Sequence, residues 1–263
     1  MRIALCGLGR AGTQVVRSLY GREGVELSAI FCRDGSPRAG KTIRDYFPNS
    51  SLDCEIHALE NAEHSLRASA SEVLIDFSSR KATLTLLPVC ASLGVRMVVC
   101  TTGFTKQELA AMRQTAESSP GFALVYAPNV TLGVNVMMRL AQQTARLLPD
   151  YDYAITEKHH RRKADVSATA RRMAEGLEDT LHKPVALNSI RAGGYVGLHE
   201  LLIANEFERI TIIHESFSRQ AFANGALAAA AFVMGREGYY SMEDVVREHF
   251  EGARADTGAG NKA

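Results

Sequence analysis

Apolar residues in this chain come in two rhythms. Short, predominantly apolar runs stand at Arg2–Cys6, Val25–Phe31, Val73–Ser79, Val95–Cys100 and Phe122–Tyr126. Runs of this kind are typical of strands buried on both faces. Between them, Thr13–Leu19, Ala82–Leu93 and Lys106–Glu117 repeat apolar positions at three- and four-residue spacing, as helices with one buried face do. Strands alternating with helices predict a parallel, doubly wound α/β sheet. After Asn129 the rhythm changes. Val130–Leu140 reads as a loop that becomes an apolar helix, and it marks a domain boundary. Tyr151–Thr156 predicts a strand, 167–181 a helix, and Val185–Ala192, Leu201–Asn205 and Glu208–Ser216 further strands. A long Ala-rich helix, Ala221–Met234, carries the chain back, and only the tail Gly252–Ala263 reads as loose.

The first strand runs straight into Gly7-Leu8-Gly9-Arg10-Ala11-Gly12 and then a helix. This G-x-G-x-x-G in strand–turn–helix context points to a dinucleotide, with glycines admitting the pyrophosphate to the backbone. The second strand ends in Cys32-Arg33-Asp34-Gly35. An NAD site usually places a carboxylate near this point, whereas an arginine suits a 2′-phosphate. Cys32 stands where the carboxylate is sought and Arg33 follows, so NADPH is the preferred cofactor and NADH a possible one. Asp34 on the ribose, with Arg33 solvated, is the competing reading. Ligands of such sheets sit at the carboxyl ends of the strands. Phe77, Ser78, Thr101, Thr102, Gly103, Ala127, Pro128 and Asn129 fall there and complete the cofactor set with Gly7, Gly9, Arg10, Ala11, Gly12 and Arg33. The expected organisation is an N-terminal Rossmann-type doubly wound parallel sheet over residues 1–129, completed by 235–263. Residues 130–234 are expected to form an α+β domain for substrate binding and oligomerisation.

Composition narrows the class. The hydrophobic share of 46% and charged share of 22% are those of an ordinary globular protein. A formal net charge of +1 gives no electrostatic case for nucleic acid or an anionic membrane. No apolar run is long enough for a membrane span, and the chain enters a strand at once, leaving no room for a signal peptide. The five cysteines are scattered without a Cys-x-x-Cys pair, which argues for reduced thiols in the cytoplasm and against a metal site.

The densest chemistry lies in Glu157-Lys158-His159-His160-Arg161-Arg162-Lys163-Ala164-Asp165-Val166-Ser167-Ala168-Thr169-Ala170. Histidine exchanges a proton near neutral pH, and the cations can neutralise a carboxylate. Ser167 reads as the N-cap of the following helix, whose first N–H groups form an anion pocket. The bland alternative is an exposed basic loop leading into a capped helix.

Several blocks together resemble one family over essentially the whole chain. They are Gly9-Arg10-Ala11-Gly12, Asp76-Phe77-Ser78, Thr101-Thr102-Gly103-Phe104 and Asn129-x-x-x-Gly133-Val134-Asn135. The more specific ones are Glu157-x-His159-His160-x-x-Lys163-x-Asp165, Arg191-x-Gly193-x-x-x-Gly197-x-His199 and Ser218-Arg219-x-x-Phe222-Ala223-Asn224-Gly225-Ala226. The chain resembles the 4-hydroxy-tetrahydrodipicolinate reductases (dihydrodipicolinate reductases) of lysine and diaminopimelate synthesis. The resemblance implies hydride transfer from NAD(P)H to a cyclic dicarboxylated imine, with His159 as proton donor and Lys163 as assisting cation. It implies His160, Ser167, Ala168 and Thr169 at a substrate carboxylate, and a homotetramer assembled through the second domain's sheet. The chain departs from the family pattern after Lys163: Asp165-Val166-Ser167-Ala168-Thr169-Ala170 is one residue shorter, lacks a proline and has Ala168 where the family has glycine. That departure keeps two further readings open, an NADPH-dependent reductase of a different imine and a non-catalytic NADPH-binding protein.

Overall fold

The computed structural model describes residues 1–48 and 52–248. Its first sheet has seven strands: β1 (Arg2–Cys6), β2 (Glu26–Cys32), β3 (Ile56–Ala58), β4 (Val73–Asp76), β5 (Arg96–Val99), β6 (Ala123–Tyr126) and β11 (Gly238–Ser241). They lie in the order β11-β6-β5-β4-β1-β2-β3, and every pairing is parallel. From β3 to β6 this is the doubly wound dinucleotide-binding order, with the direction of winding reversing between β1 and β4. Alternation along the strands sorts the side chains. Ala4, Cys6, Phe31, Leu74, Met97, Val99 and Leu124 pack with Leu66 of α2 (Ala62–Ala68), Leu86 and Cys90 of α3 (Arg80–Leu93), and Met112 of α4 (Lys106–Ser118). The intervening Ile3, Leu5, Ile30, Ile75, Val98 and Val125 are fully buried on the opposite face. Burial on both faces is why these strands read as predominantly apolar runs.

The second sheet holds β7 (Asp152–His159), β8 (Ala186–Arg191), β9 (Gly197–Ala204) and β10 (Arg209–Ser216), ordered β10-β9-β7-β8. β7 pairs parallel with β8, while β9 runs antiparallel to β7 and β10. Helices α5 (Leu132–Leu147) and α6 (Ala168–Leu181) cover one face. Met137, Ala141 and Ala145 of α5 meet Met173, Ala174 and Leu177 of α6 over Tyr153, Ile155, Leu201 and Ile203. The other face carries exposed Ile190 and Ile213.

By contacts the chain divides into two compact units, Met1–Val130 with the segment from Phe222, and Thr131–Ala221. The Ala-rich helix α7 (Gln220–Val233), expected in the second domain, groups with the first. Its buried Ala223, Ala226, Ala229, Ala230 and Val233 leave it apolar along its length, and the chain passes from it into β11 beside β6. Residues 242–248 are helical. The tail Gly252–Ala263 lies outside the described residues.

Four elements differ from the sequence-based reading. β7 continues three residues past Thr156, and β9 begins at Gly197 rather than Leu201, so Glu157, His159 and His199 stand on strands. β3 and α2 arise from a stretch with little periodic signal. Polar residues lengthen β7 and β9 because partners on neighbouring strands satisfy them, which a local pattern does not record.

Candidate active site

The first unit offers a dinucleotide cradle at the winding reversal. Gly7 has φ +94°, and a Cβ there would lie 2.7 Å from the carbonyl oxygen of Phe77. A Cβ on Gly12 would lie 1.9 Å from the carbonyl oxygen of Gly7. Both glycines are therefore required by the fold itself. Gly9 is different: its φ is not positive, and an added Cβ meets nothing within 4 Å. Neither sterics nor backbone geometry requires glycine there, so the open space over the turn fits the approach of a pyrophosphate. Arg10 is exposed on this turn, and Ala11 precedes α1 (Gly12–Ser18).

Asp76, fully buried at the end of β4, shapes the next loop. Its carboxylate accepts the backbone N–H of Ser78 at 2.9 Å, the Ser78 hydroxyl at 2.5 Å and the Thr83 hydroxyl. Burial pushes its pKa up against these donors. Phe77 and Ser78 are thereby held against the glycine turn. Thr101, Thr102 and Gly103 follow β5, with Gly103 at φ +88°, and Ala127, Pro128 and Asn129 follow β6, where the Ala127 N–H bonds the Val99 carbonyl. Because β1, β4, β5 and β6 are neighbours, these segments line one edge of the sheet.

A cavity of about 510 Å³ opens beside β1 and β2, lined by Gly7, Cys32, Arg33, Asp34, Ser78 and Lys81 among others. The Cys32 thiol is directed at the carbonyl oxygen of His57 at 3.4 Å. The Asp34 carboxylate accepts the Glu60 N–H at 2.9 Å, and Arg33 is exposed. Arg38 reaches back to the turn, donating to the Leu8 carbonyl at 2.9 Å with its guanidinium 5.4 Å from the Tyr46 ring centre. Sequence order could not show this contact, because a long loop brings Arg38 home.

In the second unit the site is organised by Glu157, which has no exposed surface. Strand alternation places it on the helix-covered face with Tyr153 and Ile155, opposite Ser189 of β8 and His199 of β9. One carboxylate oxygen accepts from the Arg191 guanidinium at 2.6 Å, the Ser189 hydroxyl at 2.7 Å and the Ser167 N–H at 3.1 Å. The other accepts from Arg191 at 2.8 Å and faces Nδ1 of His159 at 2.5 Å. Burial drives the carboxyl pKa upward, but these donors outweigh it and hold it at about 2.

Arg191 also staples the loop that follows β7. Its guanidinium donates to the carbonyl oxygens of Lys163 at 2.9 Å and Asp165 at 2.8 Å. The backbone N–H of Lys163 bonds the His160 carbonyl, and that of His160 bonds the Tyr195 carbonyl. Lys163 and His160 are half-buried, and Nδ1 of His160 is buried without a partner. Nε2 of His159 packs over Gly197, where a Cβ would come within 3.2 Å. His199 stands edge-on to His159 with ring centres 5.5 Å apart, and His214 stacks on its far side at 6.3 Å.

Ser167 is the N-cap of α6. Its hydroxyl bonds Nε2 of His199 at 3.0 Å and accepts the Ala170 N–H, its own N–H goes to Glu157, and the residue is buried. Ala168 is exposed at the helix start without positive φ, so its methyl meets no backbone strain; Thr169 is buried beside it.

The charges around His159 pull in opposite directions. Burial lowers its pKa, Lys163 and Arg191 push the same way, and Glu157 opposes them. Burial likewise takes His199 down to about 4, helped by His159 and His214. In the sequence Glu157 heads the dense basic stretch, while Arg191 and His199 appear only in the blocks that carry the resemblance. The period-2 continuation of β7 through residues 153, 155, 157 and 159 was the signal that could have placed Glu157 inside. Among the described residues no group of His, Cys, Asp and Glu could hold a metal, and no helix is long and apolar enough to cross a membrane.

A doubly wound sheet with a glycine cradle, joined in one chain to a domain carrying a carboxylate-held histidine and a basic loop, defines a nicotinamide-dependent oxidoreductase. Comparisons with known proteins agree. Residues 1–130 match the model for dihydrodipicolinate reductase, N-terminus, and residues 133–246 that for dihydrodipicolinate reductase, C-terminus. The 4-hydroxy-tetrahydrodipicolinate reductase of Methanococcoides burtonii is 33% identical, covering 90% of this chain and 95% of its own. That of Methylococcus capsulatus is 34% identical, covering 94% and 98%. The solved dipicolinate-bound dihydrodipicolinate reductase from Paenisporosarcina sp. TG-14 aligns with a TM-score of 0.78 at 25% identity, covering 93% of this chain and 98% of that one. An amine dehydrogenase from Mycobacterium smegmatis, at 14% identity and TM-score 0.65, shares the fold. The chain belongs to the dihydrodipicolinate reductase family.

Proposed function

We propose that this protein reduces 4-hydroxy-tetrahydrodipicolinate to tetrahydrodipicolinate in lysine and diaminopimelate synthesis, in the cytoplasm, with NADPH preferred over NADH. The observation that carries the reading is the Glu157–His159 pair beside a loop bearing His160 and Lys163. The first unit binds the nicotinamide dinucleotide, which supplies the hydride, and the second binds the dicarboxylate imine. Lys163 neutralises a substrate carboxylate, and His160 binds it together with the α6 start at Ala168 and Thr169. Ser167 serves from behind, holding the helix start to His199 and Glu157.

With Nδ1 donating to Glu157, His159 presents Nε2 as its acid. Burial and nearby cations deplete the imidazolium in the free protein. A substrate carrying two carboxylates reverses that balance, because nearby anions favour the charged imidazole. Substrate binding thus loads the proton that accompanies the hydride, and His159 returns to neutral once it is given up.

Support for NADPH comes from the place where a carboxylate would hold the ribose. Cys32 stands there with its thiol turned to His57, and Asp34 is engaged by the Glu60 N–H. We also assign the exposed face bearing Ile190 and Ile213 to self-association as a homotetramer. The test of function is nicotinamide oxidation with enzymatically generated 4-hydroxy-tetrahydrodipicolinate, NADPH and NADH run side by side. Rapid oxidation favouring NADPH is the expected result. Tight NADPH binding without turnover of this substrate would refute it and point to a different imine, which the shortened 165–170 loop makes the second reading.

A further inference from the structure

The cavity beside β1 and β2 holds two cations and a single carboxylate. Arg33 lies on its β2 side and Lys81 on its α3 side, and neither forms an ion pair among the described residues. The carboxylate, Asp34, is bonded to a backbone N–H at 2.9 Å, outside any ion pair with them. Helix α3 opens Arg80-Lys81 with no acidic residue in its first turn. Cations there oppose the helix dipole. Arg80 is offset by Glu108 at 2.7 Å, but Lys81 has no such partner. Lys81 thus lines the cavity with a charge that no carboxylate offsets among the described residues.

We propose that Lys81 is a specificity-determining residue that binds the 2′-phosphate of NADPH across the cavity from Arg33. A dianionic phosphate between two cations accepts a charge-assisted hydrogen bond from each, whereas the 2′-hydroxyl of NADH gains nothing from them. The inference rests on the NADPH preference proposed above and adds to it the residue responsible on the α3 side.

The test is calorimetric titration of the full chain with adenosine 2′,5′-bisphosphate and with adenosine 5′-monophosphate, which needs no turnover. The wild type should favour the bisphosphate. Lys81→Met should cut the ratio of the two affinities by about tenfold, the size of one charge-assisted hydrogen bond, and Lys81→Arg should restore most of it. Retention of the monophosphate affinity reports that the cavity is still folded. A wild type that favours the bisphosphate and a Lys81→Met variant that favours it equally would overturn the role of Lys81 alone. A wild type with no preference would overturn the NADPH reading and this inference together.

Discussion

Replacing Glu157 by Gln keeps its volume and removes one charge from a carboxylate with no solvent exposure. The amide oxygen can still accept from Ser189 and from the Ser167 N–H. Its NH2 must then face Nδ1 of His159, which sits 2.5 Å away. Nδ1 is forced to accept, the imidazolium is disfavoured, and the neutral ring is a far weaker acid at Nε2. A hydrogen bond to a charged group is worth about 1.5–3 kcal/mol, so kcat should fall roughly 10- to 150-fold at about 1.4 kcal/mol per tenfold. Loss of the carboxylate also strips Arg191 of its counter-charge. Breaking a buried pair costs about 3–5 kcal/mol; Arg191 keeps 19% side-chain exposure and two loop carbonyls, which places the loss near the lower end. For a chain of this size, ~3 kcal/mol lowers Tm by on the order of 10 °C. The assay is the pH dependence of kcat with NADPH, on variants shown to be folded at the assay temperature. His159 works as the protonated form, so activity falls as pH rises through its pKa in the complex. Glu157→Gln should move that descending limb to lower pH, and Glu157→Asp, which retains the charge, should restore part of it. An unchanged kcat and an unmoved alkaline limb in a folded Glu157→Gln protein would refute the role given to this carboxylate.

The glycines of the first turn should separate by purpose. Gly12→Ala cannot be accommodated 1.9 Å from the Gly7 carbonyl and should lower Tm markedly, whereas Gly9→Ala should melt like the wild type yet lose dinucleotide affinity in a fluorescence titration. His199 should make the protein acid-sensitive. Its folded pKa of about 4 lies below the ordinary 6.5, so the unfolded chain alone takes the proton between them. Its contribution is complete above 6.5 and is lost as pH falls toward 4, by ~3 kcal/mol at 1.36 kcal/mol per pH unit. Urea unfolding of His199→Gln above and below that window should show a shallower pH slope than the wild type; equal slopes would contradict it. On the exposed sheet face, Ile213→Lys should lower the molecular mass in light scattering while leaving circular dichroism unchanged, and an unaltered mass would remove that face from the assembly.

The amino-acid sequence by itself determined the doubly wound sheet and the glycine turn, because both are written locally. Strands buried on two faces are predominantly apolar, and Gly12 answers to the Gly7 carbonyl within its own strand–turn–helix unit, although Gly7 answers to Phe77 after β4. The motif letters around His159 and Lys163 were equally plain. What only the tertiary structure decided is how those letters work. Glu157 looked like the head of a basic loop, yet it is the buried centre of the site, because Arg191 and Ser189 arrive from β8 and Ser167 from the start of α6. Ser167 read as a helix cap, and β9 adds a partner that the sequence does not show by setting His199 against its hydroxyl. Arg33 and Lys81 lie far apart in sequence, and only the fold brings them to one cavity. In each case the deciding partner lies on a separate element. A charge's meaning depends on what neutralises it, and neutralisation is a property of packing rather than of sequence position.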